Sequence, residues 1–233
     1  MNRDLGVTEA IRSLLPESAV PLFEAVAMLG DLVLVVAVLA GLALVDAYRS
    51  LRRGADGPLS ERTAFLLAVV LGGLALTLVL KTAIGASRPP DELQAVAREG
   101  EGFPSGHTMA ATVLWGSLAL WSERRTKRMR LLGASGIVGL VGLSRLALGV
   151  HFLVDVLASI AFGLGYLAIA AWVLAGDPRR AFAGAAALGA AALIVTGASA
   201  DGLLAFVGCV GGAMGWWILG RVKVQALWAS VAT

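Results

Sequence analysis

The chain has two histidines, and both stand in short polar boxes set in otherwise apolar sequence. His107 closes Pro104-Ser105-Gly106-His107, and His151 lies between Ser144-Arg145 and Asp155. A further box, Lys81 followed by Arg88-Pro89, lies just upstream. Together the boxes hold a nucleophile candidate, an acid candidate and three cations. Ionisable groups within membrane stretches are costly and mark function. Phosphoryl transfer asks for these parts: charge neutralisation on the equatorial oxygens, an in-line nucleophile and a proton for the leaving oxygen.

Each residue type suits one of those tasks. Ser105 is placed to cap a helix, and Gly106 beside it carries no side chain, so backbone N–H groups at the helix N-terminus can bind an anion. His107 falls in the same first turn, within reach of a leaving group. Arg88 and Arg145 offer planar forks for paired phosphate oxygens and Lys81 a compact charge, although a lysine at a helix end also snorkels. His151 and Asp155, four residues apart, share one helical face. The carboxylate can take the Nδ1 proton, fix the tautomer and leave the Nε2 lone pair for phosphorus. His107 must instead carry a proton, and two imidazoles in opposite protonation states predict a bell-shaped pH–rate profile. A Pro-Ser-Gly-His stretch alone is an ordinary helix cap, and His151 with Asp155 alone is an ordinary i,i+4 pair. Their occurrence in order, with both histidines included, is what points to catalysis.

The series Lys-x6-Arg-Pro, Pro-Ser-Gly-His and Ser-Arg-x5-His-x3-Asp resembles the three signatures of the type 2 phosphatidic acid phosphatase superfamily, and every signature position matches. That superfamily includes lipid phosphate phosphatases, undecaprenyl-diphosphate and phosphatidylglycerophosphate phosphatases, acid phosphatases and vanadium haloperoxidases. The resemblance implies hydrolysis through a phosphohistidine at His151 assisted by Asp155, with no metal and no cofactor. It makes His107 the proton donor and Lys81, Arg88, Ser105, Gly106 and Arg145 the phosphate ligands. Many membrane members place three helices before the first box and end soon after the last. This chain is expected to place two before it and two more, over 181–220, after it.

The elements that must carry these boxes are membrane helices. Of the 233 residues, 58% are hydrophobic and 15% charged, and mean hydropathy is +0.82. Soluble domains carry roughly a quarter charged residues, so the fold expected is an all-α, polytopic transmembrane bundle. About 20 apolar residues cross a bilayer core, which gives predicted spans near 24–46, 63–82, 105–122, 131–149, 152–175, 181–199 and 202–220. Residues 1–20 read as an interfacial segment, with a short helix over Leu5 to Leu15 and no cleavable signal. Residues 21–175 read as the phosphatase core, and 176–233 as two added helices with a cytoplasmic tail. The net charge of +3 comes without a basic stripe interleaved with aromatics, which argues against a nucleic-acid partner. Cys209 stands alone, so no disulfide forms within the chain, and it reads as a small apolar helix residue.

Charge placement predicts the orientation. Arg49, Arg52, Arg53, Arg62, then Arg124, Arg125, Lys127, Arg128, Arg130, then Arg179 and Arg180 fall between predicted spans on one side, and Arg221 and Lys223 follow the last span on that same side. Only Arg3, Arg12, Lys81, Arg88, Arg98 and Arg145 remain for the other. The first face is therefore cytoplasmic, with the C-terminus, and the boxes face outward. Gly133, Gly136, Gly139 and Gly142, with the pairs Gly208/Gly212 and Gly211/Gly215, predict close helix packing and also offer a surface for a second copy of the chain. Asp31 reads as a polar partner for a neighbouring helix or as part of the site mouth. The connection 83–104, rich in acids, reads as a solvated loop. The partners expected are the bilayer and a lipid phosphate. The competing readings are a lipid phosphotransferase, a vanadium haloperoxidase and a non-catalytic lipid binder or transporter.

Overall fold

The structure, a computed structural model, describes residues 5–123 and 125–232. Arg3, Asp4 and Arg124 lie outside the described residues. Every regular element among the described residues is helical: α1 Gly6–Ser13, α2 Val20–Ala27, α3 Leu32–Arg53, α4 Glu61–Ile84, α5 Gly106–Trp121, α6 Lys127–Ala147, α7 Leu153–Ile169, α8 Pro178–Val195, α9 Ala200–Leu219 and α10 Val222–Ala232. Six of these are long and apolar enough to cross a bilayer: α3, α4, α6, α7 with its π-helical continuation to Leu174, α8 and α9.

Three expectations change. The span predicted at 24–46 divides, because a 3-10 turn over Met28–Gly30 and extended backbone at Asp31 separate α2 from α3. Asp31 accepts the Val33 N–H at 2.8 Å, so the acid expected inside a span instead starts a helix, as a capping carboxylate does. The stretch predicted as a span at 105–122 is a helix of 16 residues, about 24 Å long at 1.5 Å per residue. Beyond the last predicted span, the chain folds into α10.

The helices group into two compact units. One combines the N-terminal stretch through Val35 with Thr77–Leu167, and the other combines Val36–Leu76 with the chain from Ala168 onward. In the first, α5 is the central element: Met109, Ala111, Val113 and Leu114 are fully buried, as expected of a helix apolar on all sides. Ala111, Val138 and Val141 form its contact with α6, flanked by Leu29, Trp115 and Ile160. A second cluster joins Phe23 and Ala27 of α2 to Ala95, Val96, Leu148 and Val150. That cluster draws the loop after Arg88 onto the turn before His151. The N-terminal helix α1 is docked as well: Thr8 is fully buried and donates to the His151 carbonyl at 3.1 Å.

In the second unit, α8 and α9 pack through Gly189, where an added Cβ would lie 2.7 Å from the Cys209 Cβ, and through Gly212 beside Phe182 and Leu71. Cys209 is buried, and its thiol lies 3.5 Å from the Leu71 carbonyl. Close packing through glycine holds only in part. Gly142 abuts Val156, whereas a Cβ at Gly133, Gly136 or Gly139 would meet no described atom within 4 Å.

Candidate active site

Box residues distant in sequence are tied together through backbone. Lys81 lies in the last turn of α4, Ser105 at the N-cap of α5, Arg145 in the last turn of α6 and Asp155 in the first turn of α7. The Ser105 N–H donates to the Asp155 carbonyl at 3.4 Å, and the Ser159 hydroxyl donates to the Ser105 carbonyl at 3.1 Å. These two bonds join the second box to the third. Arg88 Nη1 donates to the Val150 carbonyl at 3.1 Å, which joins the first box to the third. The Ala95 N–H donates to the Leu148 carbonyl at 3.0 Å, next to Gly149. Gly149 has φ +70°, and a Cβ there would collide with the Leu93 carbonyl. A left-handed backbone and a close approach both require glycine at this point.

His151 is 1% exposed and Asp155 fully buried. His151 Nδ1 lies 3.3 Å from Asp155 Oδ2, and the same oxygen accepts the Phe152 N–H at 2.9 Å. The carboxylate is thus held in place before it holds the imidazole. On the opposite side of the ring, Arg88 Nη1 lies 3.3 Å from Nε2. An arginine can only donate, so the contact fits a ring with its proton on Nδ1 and its lone pair on Nε2. Burial pushes the His151 pKa down to about 4; the Asp155 hydrogen bond pulls it up, and Arg88 and Arg145 push it further down. Arg88 is anchored through Nε to the carbonyls of Glu99 and Gly100, each at 3.2 Å. Its own pKa is lowered by burial and then by the charge of Arg98.

Arg145 is 1% exposed, yet its Nε and Nη1 have no hydrogen-bond partner among the described residues. Buried donors are almost always paired, and a guanidinium fork matches paired phosphate oxygens. At Gly106 an added Cβ would meet no protein atom within 4 Å, which leaves room in front of the α5 N-terminus. Ser105 is the N-cap residue, but its side chain does not cap the helix. Its hydroxyl pairs with the Thr108 hydroxyl at 3.0 Å. Lys81 is an electrostatic neighbour of Arg88, Glu101, Arg145 and Asp155.

Two residues near the boxes, Arg98 and Thr8, carry no site role in the sequence alone. The charge of Arg98 acts on Arg88, His107 and Arg145. Its N–H donates to Gln94 Oε1 at 3.1 Å, and Gln94 in turn donates to the Pro89 carbonyl at 2.9 Å. Asp31 Oδ2 lies 3.6 Å from His107 Nε2 of α5, so Asp31 has the polar partner on a neighbouring helix that the sequence suggests, and that partner is a box residue. A helix-start signal, Gly30-Asp31 before a long apolar run, was available for it. Thr8 had no such signal. A cavity of about 770 Å³ in the second unit, lined among others by Asp56, Arg179, Trp216 and Arg221, contains neither histidine. The chemistry, not cavity volume, marks the site.

Known proteins are similar to this chain in sequence and in fold. Phosphatidylglycerophosphatase B of Bacillus subtilis (strain 168) is 38% identical over 95 residues, which cover 38% of this chain and 46% of that protein. Phosphatidylglycerophosphatase B of Escherichia coli (strain K12) is 39% identical over 79 residues, covering 32% of this chain and 29% of that protein. The match therefore spans less than half the length of these relatives. The crystal structure of the first transmembrane PAP2 type phosphatidylglycerolphosphate phosphatase from Bacillus subtilis is similar with a TM-score of 0.61 and 25% identity, over 71% of this chain and 81% of that one. A family model described as the PAP2 superfamily matches residues 62–181. With three ordered boxes, a multi-pass helical membrane fold and a match over more than half its length, the chain belongs to the PAP2 superfamily.

Proposed function

We propose that this protein is an integral membrane phosphatase that removes phosphate from a lipid, through a phosphohistidine at His151, on the outward face of the membrane. The observation that carries the reading is the buried Asp155–His151 pair with half-buried Arg88 on the far side of the ring, next to a buried Arg145 with two N–H groups unpartnered among the described residues. Arg145, Lys81, the N–H groups at Gly106 and Arg88 would hold the phosphate oxygens. As substrate enters, Arg88 would exchange its contact with Nε2 for one with a phosphate oxygen, freeing the lone pair. Nε2 then bonds to phosphorus as the bond to the leaving oxygen breaks, and His107 supplies the proton that oxygen needs. Water takes the phosphoryl group from His151 in the second half, giving its proton to His107.

The names of the relatives point to phosphatidylglycerophosphate, and phosphatidate and polyprenyl diphosphate share the chemistry that these cations recognise. A lipid is favoured over a soluble ester because the boxes lie at helix ends, where a headgroup resides. The test is phosphate release by purified protein from each of these lipids and from glycerol phosphate, with a chelator present. Release from a lipid phosphate is expected, at least about 1,000-fold slower in folded His151→Ala, since loss of a nucleophile removes most of the rate. Near-normal release by that variant would overturn the covalent mechanism.

A further inference from the structure

We propose that Asp31 is a positioning residue for His107, forming a second carboxylate–imidazole pair that keeps the ring protonated to serve the leaving group. The inference rests on the phosphatase reading above and adds a residue outside the three boxes.

Two contacts hold the 28–31 turn against α5. Trp115 Nε1 donates to the Leu29 carbonyl at 2.9 Å. Gly30 lies so close that a Cβ there would collide with the His107 carbonyl and stand 3.2 Å from the Ala111 Cβ. Asp31 then presents its carboxylate in two directions. Oδ1 accepts the Val33 N–H at 2.8 Å, and Oδ2 faces His107 Nε2 at 3.6 Å, an ion-pair distance rather than a hydrogen bond. The backbone bond at one oxygen fixes where the other points.

Burial is the main influence that disfavours a positive His107, followed by Arg145 of α6, Arg98 of the 85–105 connection, His151 before α7 and Lys81 of α4. The cations among them oppose a positive ring. Asp31 is the carboxylate at ion-pair distance, and it acts on Arg145 together with Glu24. In the first half-reaction the proton passes from the His107 imidazolium to the leaving oxygen as the phosphorus–oxygen bond breaks, leaving a neutral ring beside Asp31. Attack of water on the phosphohistidine returns a proton to the ring.

Asp31→Asn separates charge from fold, because asparagine caps helices as well as aspartate and can keep the Val33 bond. With an alkyl phosphate, kcat should fall about 10- to 100-fold, at or below the lower end of the ~10²–10⁴ that general acid catalysis contributes, with KM little changed. With p-nitrophenyl phosphate, whose leaving group needs little protonation, the loss should stay below about 3-fold. Asp31→Glu should recover part of the alkyl-phosphate rate, and Asp31→Asn should add nothing on a His107→Ala background. Equal losses on both substrates, or full additivity with His107→Ala, would overturn the proposal. A readout free of turnover separates it from the phosphatase reading. In His151→Ala the only histidine left is His107, and its titration by NMR should move down by about one pH unit or more when Asp31 becomes Asn. An unchanged midpoint would reject the Asp31 role, whatever the wild-type protein hydrolyses.

Discussion

The proposed mechanism needs a neutral imidazole to attack phosphorus, and burial favours the neutral form of His151. Its pKa, pushed down to about 4, lies below the ~6.5 of a free histidine, so the ring remains unprotonated through the mildly acidic range. The rate of phosphorylation in a single turnover should therefore hold its plateau well below pH 6, with the His151 acid limb near 4. A limb near 6.5 in stopped-flow or quench data would mean that the ring is solvated in the working enzyme. The stability linkage has a definite sign. Between about pH 4 and 6.5 the unfolded chain binds the extra proton, so the contribution of His151 to stability is complete above the unfolded pKa and lost as pH falls through the folded one. His107 carries a different expectation. His107→Ala should slow alkyl phosphate hydrolysis by about 100-fold or more and p-nitrophenyl phosphate hydrolysis far less; comparing kcat for the two substrates checks it, and equal losses would remove His107 from the acid role.

Among the elements, the long apolar helices were legible because hydropathy over about 20 residues is a strong signal. The boxes were legible because charge is rare in such sequence. What hydropathy averages away is a short interruption: the window over 24–46 passed across Gly30 and Asp31, and with it the turn that brings a carboxylate to His107. Pairing through space was illegible for a different reason. Thr8 reaches the His151 carbonyl across 143 positions of sequence, and no local pattern announces such a contact. The glycines show the same limit, since spacing alone did not tell Gly142, packed on Val156, from Gly133, which faces no described atom. This difference can be measured. Gly149→Ala should destabilise by about 1–3 kcal/mol through its left-handed backbone and the clash with Leu93. Gly133→Ala should be neutral or stabilise by up to about 1 kcal/mol, as alanine does in an open helix. Thermal unfolding in detergent would check both, and similar effects at the two positions would contradict the packing described.

On the scale of the whole molecule, the charge asymmetry predicts which side of the membrane each connection occupies. With Cys209→Ala as background, Glu92→Cys should react with a membrane-impermeant maleimide in intact cells. Arg52→Cys and Arg128→Cys, also at exposed positions, should react only after permeabilisation. The reverse pattern would place the boxes on the cytoplasmic side and require a different source of substrate. The leaving-group dependence and the pH limbs both depend on one covalent event. Rapid quenching of the protein during turnover of a lipid phosphate, followed by mass spectrometry under alkaline conditions, should find a phosphoryl group on the peptide that carries His151 and none in His151→Ala. Turnover at full rate with His151 unmodified, while a control phosphohistidine survives the same quench, would contradict the account.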